Sequence, residues 1–172
     1  MPEPWYTAAF RRMRQAGIGV VGYVPDAGLK TLIADCQADP AMRAVALTTE
    51  EEGFGLAAGA WLGGQRSALL MQSSGVGNVI NALASITRAC RFPLFMIVTM
   101  RGDWGETNPW QVPMGQAVEP ILRQFGVVTY RVTATEQADG AVEAALRMAY
   151  ASGEAAAVLI DQRVVGSKVF AQ

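Results

Sequence analysis

Residues 43–86 read RAVALTTEEEGFGLAAGAWLGGQRSALLMQSSGVGNVINALASI, and the rhythm of this stretch decides the fold. Arg43 to Thr48 has the composition of a short strand, and it runs into an acidic helix start at Glu50. Glycine- and alanine-rich residues then carry that helix to Leu62, and Ser67 to Gln72 forms a second apolar strand. Ser73 to Gly77 reads as a glycine-bearing loop, and Asn78 to Cys90 as the next helix. The order is strand, helix, strand, helix.

The same alternation extends in both directions. Trp5 to Ala16 alternates apolar and basic residues at helical spacing and stops at Gly17; Ile18 to Val24 is a β-branched strand closed by Pro25 and Asp26. Leu29 to Ala38 is helical, with Asp26 as a candidate cap. Downstream, Leu94 to Met100 is a nearly unbroken apolar run of the kind buried on both faces. A polar loop follows, Arg101 to Val112, then helix Gly115–Phe125, strand Val127–Val132, helix Thr135–Ser152 and strand Ala155–Ile160. Six strands alternating with helices predict an α/β domain with a six-stranded, mainly parallel sheet and helices on both faces. The chain, residues 1–172, reads as one domain, and the residues from Asp161 onward read as a tail or a partner-docking strand.

Composition removes several function classes. Half of the residues are apolar and net charge is −1, which offers no electrostatic footprint for nucleic acid. Histidine is absent, which rules out Ser-His-Asp and Cys-His catalysis and a histidine base. Cys36 and Cys90 lack metal-site spacing, sit in apolar-periodic segments and read as reduced structural residues. The N-terminus carries no basic-then-apolar signal and no apolar run approaches a membrane span, so a cytoplasmic chain is expected. Any chemistry has to come from carboxylates, amides, hydroxyls or a cofactor.

Four places on the predicted strand ends carry candidate chemistry. Glu50, Glu51 and Glu52 open the glycine-rich helix; acidic residues in a first turn also complement the helix dipole, so both readings stand. Gly53, Gly55 and Gly59 lower helix propensity, which suits a helix packed closely against another chain. The stretch from Gln72 to Asn78 lacks the third glycine of a dinucleotide fingerprint, since position 80 is Ile80, and it lacks the Gly-Lys of a phosphate loop. What remains is either a capped turn or a polar strand end facing a ligand. Val24-Pro25-Asp26 ends the first strand. The loop RGDWGETNPWQVPMG is longer than most such connections, and its Trp104 and Trp110 read as a pocket wall or a subunit contact.

YVPDAGLKTLI, TTEEEGFGLAAGAWLGG, LLMQSSGVGNVINALASI and RGDWGETNPWQVPMG together resemble the pyrimidine domain of thiamine-diphosphate-dependent 2-oxo acid decarboxylases. Within that group the resemblance is to the alpha subunits of sulfopyruvate decarboxylase and the corresponding half of phosphonopyruvate decarboxylase, over about Ile18 to Phe125. That family places a glutamate nine residues before the glycine of an Ala-x-Gly helix motif; Glu50 stands nine before Gly59. The resemblance therefore implies Glu50 as the carboxylate that activates the cofactor. It implies Gln72, Ser73, Ser74, Gly75 and Asn78 near the aminopyrimidine, and Pro25, Asp26 and Gln111 on the substrate side. Ala27 and Ser73 depart from the serine and asparagine usual at those positions.

The family also holds the cofactor's diphosphate through magnesium, using a Gly-Asp-Gly motif and a later asparagine in a second domain. Here Gly102 and Asp103 are followed by Trp104. The resemblance thus implies a hetero-oligomer in which a diphosphate-binding beta subunit supplies the magnesium ligands, with none on this chain. The expected activity is release of carbon dioxide from a small anionic 2-oxo acid; a carboligase or lyase using the same cofactor, or a non-catalytic regulatory subunit, would share this half.

Overall fold

The computed structural model describes residues 2–166. An amphipathic helix, α1 (Trp5–Gln15), buries Trp5, Ala8, Ala9 and Met13 at helical spacing and ends where Gly17 turns the chain at φ +70°. It leads into β1 (Ile18–Tyr23), a 3₁₀ turn (Ala27–Leu29) and α2 (Lys30–Ala38), and then β2 (Arg43–Ala46), α3 (Glu50–Leu62) and β3 (Arg66–Gln72). A continuous but irregular helical run follows, made of α4 (Ser73–Val76), a 3₁₀ turn (Gly77–Val79), α5 (Ile80–Ala82) and a π-helical segment (Leu83–Arg88). The remaining elements are β4 (Leu94–Thr99), α6 (Val112–Gln124), β5 (Val128–Val132), α7 (Ala138–Tyr150), β6 (Ala155–Ile160) and α8 (Gln162–Val165).

The six strands form one sheet in the order β2-β1-β3-β4-β6-β5, and every pairing is parallel. Central β4 and β6 are buried at every position, which is why their sequences run apolar without alternation. Edge strands β2 and β5 are only partly covered. Two cores lie on opposite faces. Met13, Leu32, Leu70, Ile97, Val142 and Val158 belong to one, under α1, α2 and α7; Phe54, Leu69, Met96, Val118, Leu122 and Leu159 belong to the other, under α3, the 73–90 run and α6. Alternate residues of each strand feed alternate cores.

Three expectations need correction. Residues 73–77 are helical, because Gly75 is there for space rather than for a turn, as described below. The segment from Asp161 is neither tail nor strand as far as it is described: Asp161 is buried and caps α8 by accepting a hydrogen bond from the Arg163 amide, and Gln162 is buried beneath it. Residues 167–172 lie outside the described part. Cys36 is a buried core residue whose thiol is pushed up to about 12 by burial, whereas Cys90 is exposed. No helix among the described residues is long and apolar enough to cross a membrane.

Candidate active site

The sheet order places β2 on one side of β1 and β3 on the other. Chain leaving β1 and chain leaving β3 therefore diverge, and a crevice opens at their carboxyl ends, the place where parallel α/β sheets bind ligands. Asp26 stands at the end of β1 and closes this crevice. Its Oδ1 accepts a hydrogen bond from Gln72 Nε2 at 2.9 Å, while Oδ2 accepts from the Gly28 amide at 2.9 Å and from Thr99 Oγ1 at 3.1 Å. Ser74 Oγ donates to Gln72 Oε1 at 2.8 Å, which fixes the amide with its nitrogen toward Asp26. Asp26, Gln72 and Ser74 thus form one cluster, joined by Thr99 from β4.

A second cluster surrounds Glu50. The three adjacent glutamates have different surroundings. Glu51 is exposed, and Glu52 Oε2 accepts a hydrogen bond from the Thr48 amide at 2.8 Å, a cap at the helix start. Glu50 alone turns inward, with 8% of its surface exposed. Its Oε2 accepts a hydrogen bond from Asn78 Nδ2 at 2.8 Å, and its carboxyl group rests on Gly75. A Cβ at position 75 would lie 2.3 Å from Glu50 Oε1, so only glycine leaves room for this carboxyl orientation. No hydrogen bond from a described residue reaches Oε1.

The run from Gln72 to Asn78 is shared between the two clusters: Gln72 and Ser74 face Asp26, Gly75 and Asn78 face Glu50. Ser73 faces neither. It is fully buried, its Oγ accepting from the Arg101 amide at 3.0 Å and donating to the Arg101 carbonyl at 3.3 Å, so it fastens the start of the run to the loop after β4. That loop is folded tightly. A Cβ on Gly102, at φ +77°, would meet the Gln111 carbonyl oxygen at 2.1 Å, and one on Gly115 would meet the Arg101 carbonyl oxygen at 2.1 Å. Gln111 therefore packs by its backbone against Gly102, and among the described residues no hydrogen bond links its side chain to either cluster. Pro25 is exposed at the rim of an open groove of about 530 Å³, which Tyr23, Asp26 and Lys30 also line.

The strongest electrostatics lie within the loop. Arg101 binds Glu106 through Nε and Nη2, both at 2.6 Å, with the two side chains 7% and 2% exposed. Glu106 also accepts from the Asn108 amide and from Gln162 Nε2, each at 3.0 Å. The Arg101 hydrogen bonds outweigh burial and hold the Glu106 carboxyl at about 2. Beside this knot, Arg131 joins Asp103, Glu119 and Asp161. Burial, with Asp161 adding to it, pushes Asp103 up, and its Oδ1 is buried with no hydrogen bond. Asp161 is equally subject to burial, but hydrogen bonds from Arg163 and Arg131 bring it down to about 2. Arg163 in turn lies 4.5 Å over the Trp104 ring. Thr99 and Gln162 escape sequence reasoning because their partners come from other strand ends, and Arg101 and Glu106 because a five-residue separation within a loop specifies no contact.

No family model matches the chain. It is 40% identical over 154 residues to the sulfopyruvate decarboxylase subunit alpha of Methanothermobacter thermautotrophicus, covering 90% of this chain and 93% of that one. The chain belongs to the sulfopyruvate decarboxylase alpha-subunit family. A second member, from Methanocaldococcus jannaschii, is 36% identical over 90% of this chain and 91% of its own length. The family's neighbour, phosphonopyruvate decarboxylase of Streptomyces viridochromogenes, is 39% identical over 107 residues, which are 62% of this chain and 27% of that one. Among solved structures, the sulfopyruvate decarboxylase-type fold described above matches the 2-oxoglutarate:ferredoxin oxidoreductase from Magnetococcus marinus, solved with 2-oxoglutarate, coenzyme A and succinyl-CoA bound. The TM-score is 0.76 and the identity 13%, over 95% of this chain and 29% of that one. At that identity the likeness is one of fold.

Proposed function

We propose that this chain is the pyrimidine-binding alpha subunit of a thiamine-diphosphate-dependent decarboxylase that releases carbon dioxide and an aldehyde from a small anionic 2-oxo acid. The observation that carries this is the Glu50 carboxyl group: inward-turned, seated on Gly75, tethered at one oxygen by Asn78 and open at the other. These residues fit the aminopyrimidine end of the cofactor, since a ring nitrogen needs one positioned carboxyl oxygen and Oε1 has no competing donor among the described residues. When bound, the cofactor supplies a thiazolium ring as electron sink for loss of carbon dioxide. Glu50 would hold a proton at the pyrimidine ring nitrogen and so control the charge of the ring. Asn78 would fix the carboxyl plane, while Gly75 and Gln72 with Ser74 form the floor and wall of the crevice. On this reading Pro25, Asp26 and Gln111 would serve the substrate side.

Magnesium and diphosphate ligands are assigned to a beta subunit carrying Gly-Asp-Gly and a later asparagine. The designation of relatives as subunit alpha supports a partner of this kind. Among the described residues, no group of three acidic, cysteine or histidine side chains could hold a metal ion. The outer side of α3 is suited to cover by another chain: a Cβ on Gly55 or Gly59 would meet nothing within 4 Å, and Leu62 is exposed.

The test compares Glu50→Gln with Glu51→Gln and Glu52→Gln in the complex, reading carbon dioxide release and deuterium exchange at the thiazolium C2. Glu50→Gln should lose both by about a hundredfold or more without change in melting temperature. Gly75→Ala should act in the same direction, because its methyl group displaces the carboxyl. Equal, mild effects at all three glutamates would reduce Glu50 to a helix-dipole charge.

A further inference from the structure

Behind Asp26 lies a small cavity of about 150 Å³, bounded by Ala27, Gly28, Thr99, Arg101 and Val165. At roughly 30 Å³ for each water-sized group, it accommodates about five heavy atoms. Arg101, a buried cation, is one of its lining residues. Arg101 uses Nε and Nη2 for Glu106, and no described residue accepts a hydrogen bond from Nη1. The bidentate hold by Glu106 keeps the guanidinium plane fixed, so a ligand that accepts from the remaining N–H groups costs little further side-chain freedom.

Asp26, which also lines the cavity, spends its oxygens on Gln72, Gly28 and Thr99. It therefore offers little capacity to accept from a ligand, and its charge turns an anionic group away from itself and toward Arg101. Lys30 lines the outer groove that shares Asp26 and Ala27 with this cavity, but it is exposed and solvated. Of the residues that line the cavity, Asp26 is the acid and Arg101 the base, and the unspent donors belong to Arg101.

We infer that Arg101 is the specificity-determining residue of the site: its free Nη1 edge receives the second, strongly acidic group of a dianionic 2-oxo acid, a sulfonate or phosphonate, in the cavity behind Asp26. This rests on the decarboxylase reading above. It adds which side chain separates a dianionic substrate from a monoanionic one such as pyruvate. Glu106 is a positioning residue in this arrangement, acting only through Arg101.

The experiment uses the complex of this chain with its beta subunit. Values of kcat/KM for sulfopyruvate and for pyruvate are measured in the wild type, in Arg101→Gln, and in the double variant Arg101→Gln with Glu106→Gln. The double variant replaces the buried ion pair by a neutral, hydrogen-bonded pair and keeps the test open if the single variant does not assemble. In parallel, calorimetry follows 3-sulfopropanoate, a dianion that lacks the 2-oxo group and cannot react. Loss of the Arg101 contact should lower the sulfopyruvate-to-pyruvate preference by on the order of ten- to a hundredfold, mainly through KM, and weaken 3-sulfopropanoate by a similar factor. An unchanged preference, equal losses on both substrates, or failure of the wild type to bind 3-sulfopropanoate overturns the inference. A complex that binds 3-sulfopropanoate through Arg101 but releases no carbon dioxide leaves the subsite standing and removes the decarboxylase reading. One that decarboxylates with preference unaltered in the variants does the reverse.

Discussion

The Glu50 cluster and the Glu106 knot are both built on carboxylates buried at the carboxyl end of the sheet, yet they follow opposite principles. Glu106 has its oxygens occupied by Arg101, Gln162 and backbone amides, and the Arg101 hydrogen bonds hold its carboxyl well below the usual carboxylate range. Glu50 has one tether, one open oxygen, and a glycine beneath it whose replacement would displace the carboxyl group. The hydrogen-bonding capacity of Glu106 is exhausted within the loop, whereas that of Glu50 is not. Unspent capacity is the better guide to where a ligand belongs.

Breaking the knot should have the largest effect. Glu106→Ala leaves the Arg101 guanidinium buried without its partner, and removal of one member of a buried ion pair costs about 3–5 kcal/mol. Chemical denaturation of the complex should show a loss of that order, together with weakened anchoring of Ser73 to the loop. A cost below about 1 kcal/mol would mean that the pair is solvated in solution and that the contrast with Glu50 is overdrawn.

Acid should dismantle the same region progressively. Glu106 and Asp161 have folded values of about 2, below their ordinary 4.5 and 3.8, so the stability they contribute is complete above those ordinary values and is lost as pH falls toward 2. Asp103, shifted upward by burial, acts with the opposite sign: its charged form is disfavoured on folding, and protonation relieves that. The melting temperature of the wild type should therefore fall between pH 4.5 and 2. Glu106→Gln should show a flatter profile over this interval; an identical slope would assign the acid sensitivity elsewhere.

The smallest effect on the chain itself belongs to Gly59→Leu on α3. The new side chain meets nothing in this chain and improves helix propensity by up to about 1 kcal/mol, so the isolated subunit should melt no lower than the wild type. Association with the beta subunit should nonetheless fail, read by light scattering. An intact complex would locate the partner on another surface.

Much of this architecture was legible in advance because its signals are local. The bounds of α3 and β6, the apolar run of β4 and the stop at Gly17 follow from periodicity and from a residue type with one physical use at that position. Glu50 was separable from its two neighbours only through the spacing to Gly59 that the family resemblance provided; nothing in the charge pattern distinguishes the three. The run 73–77 was misread because two glycines after a strand usually signal a turn, whereas Gly75 serves a carboxyl group that arrives from residue 50. Asp161 and Gln162 looked like tail because a short polar segment carries no sign of the burial that Arg131, Arg163 and Glu106 impose on it. Arg101 and Glu106 were hidden for the same reason, since a five-residue separation in a loop does not specify a contact.

One feature of the surface has an optical consequence. Of the four tryptophans, Trp5 is buried in the core beneath α1, while Trp61, Trp104 and Trp110 are 41%, 57% and 71% exposed. Trp61 lies on α3 beside Tyr150, with ring centroids 6.3 Å apart, and the other two stand on the loop after β4. Three of the four indole chromophores therefore sit in water on the helix and loop assigned to the partner and the site, so the chain carries its own emission-wavelength gauge of whether those surfaces are wet or covered.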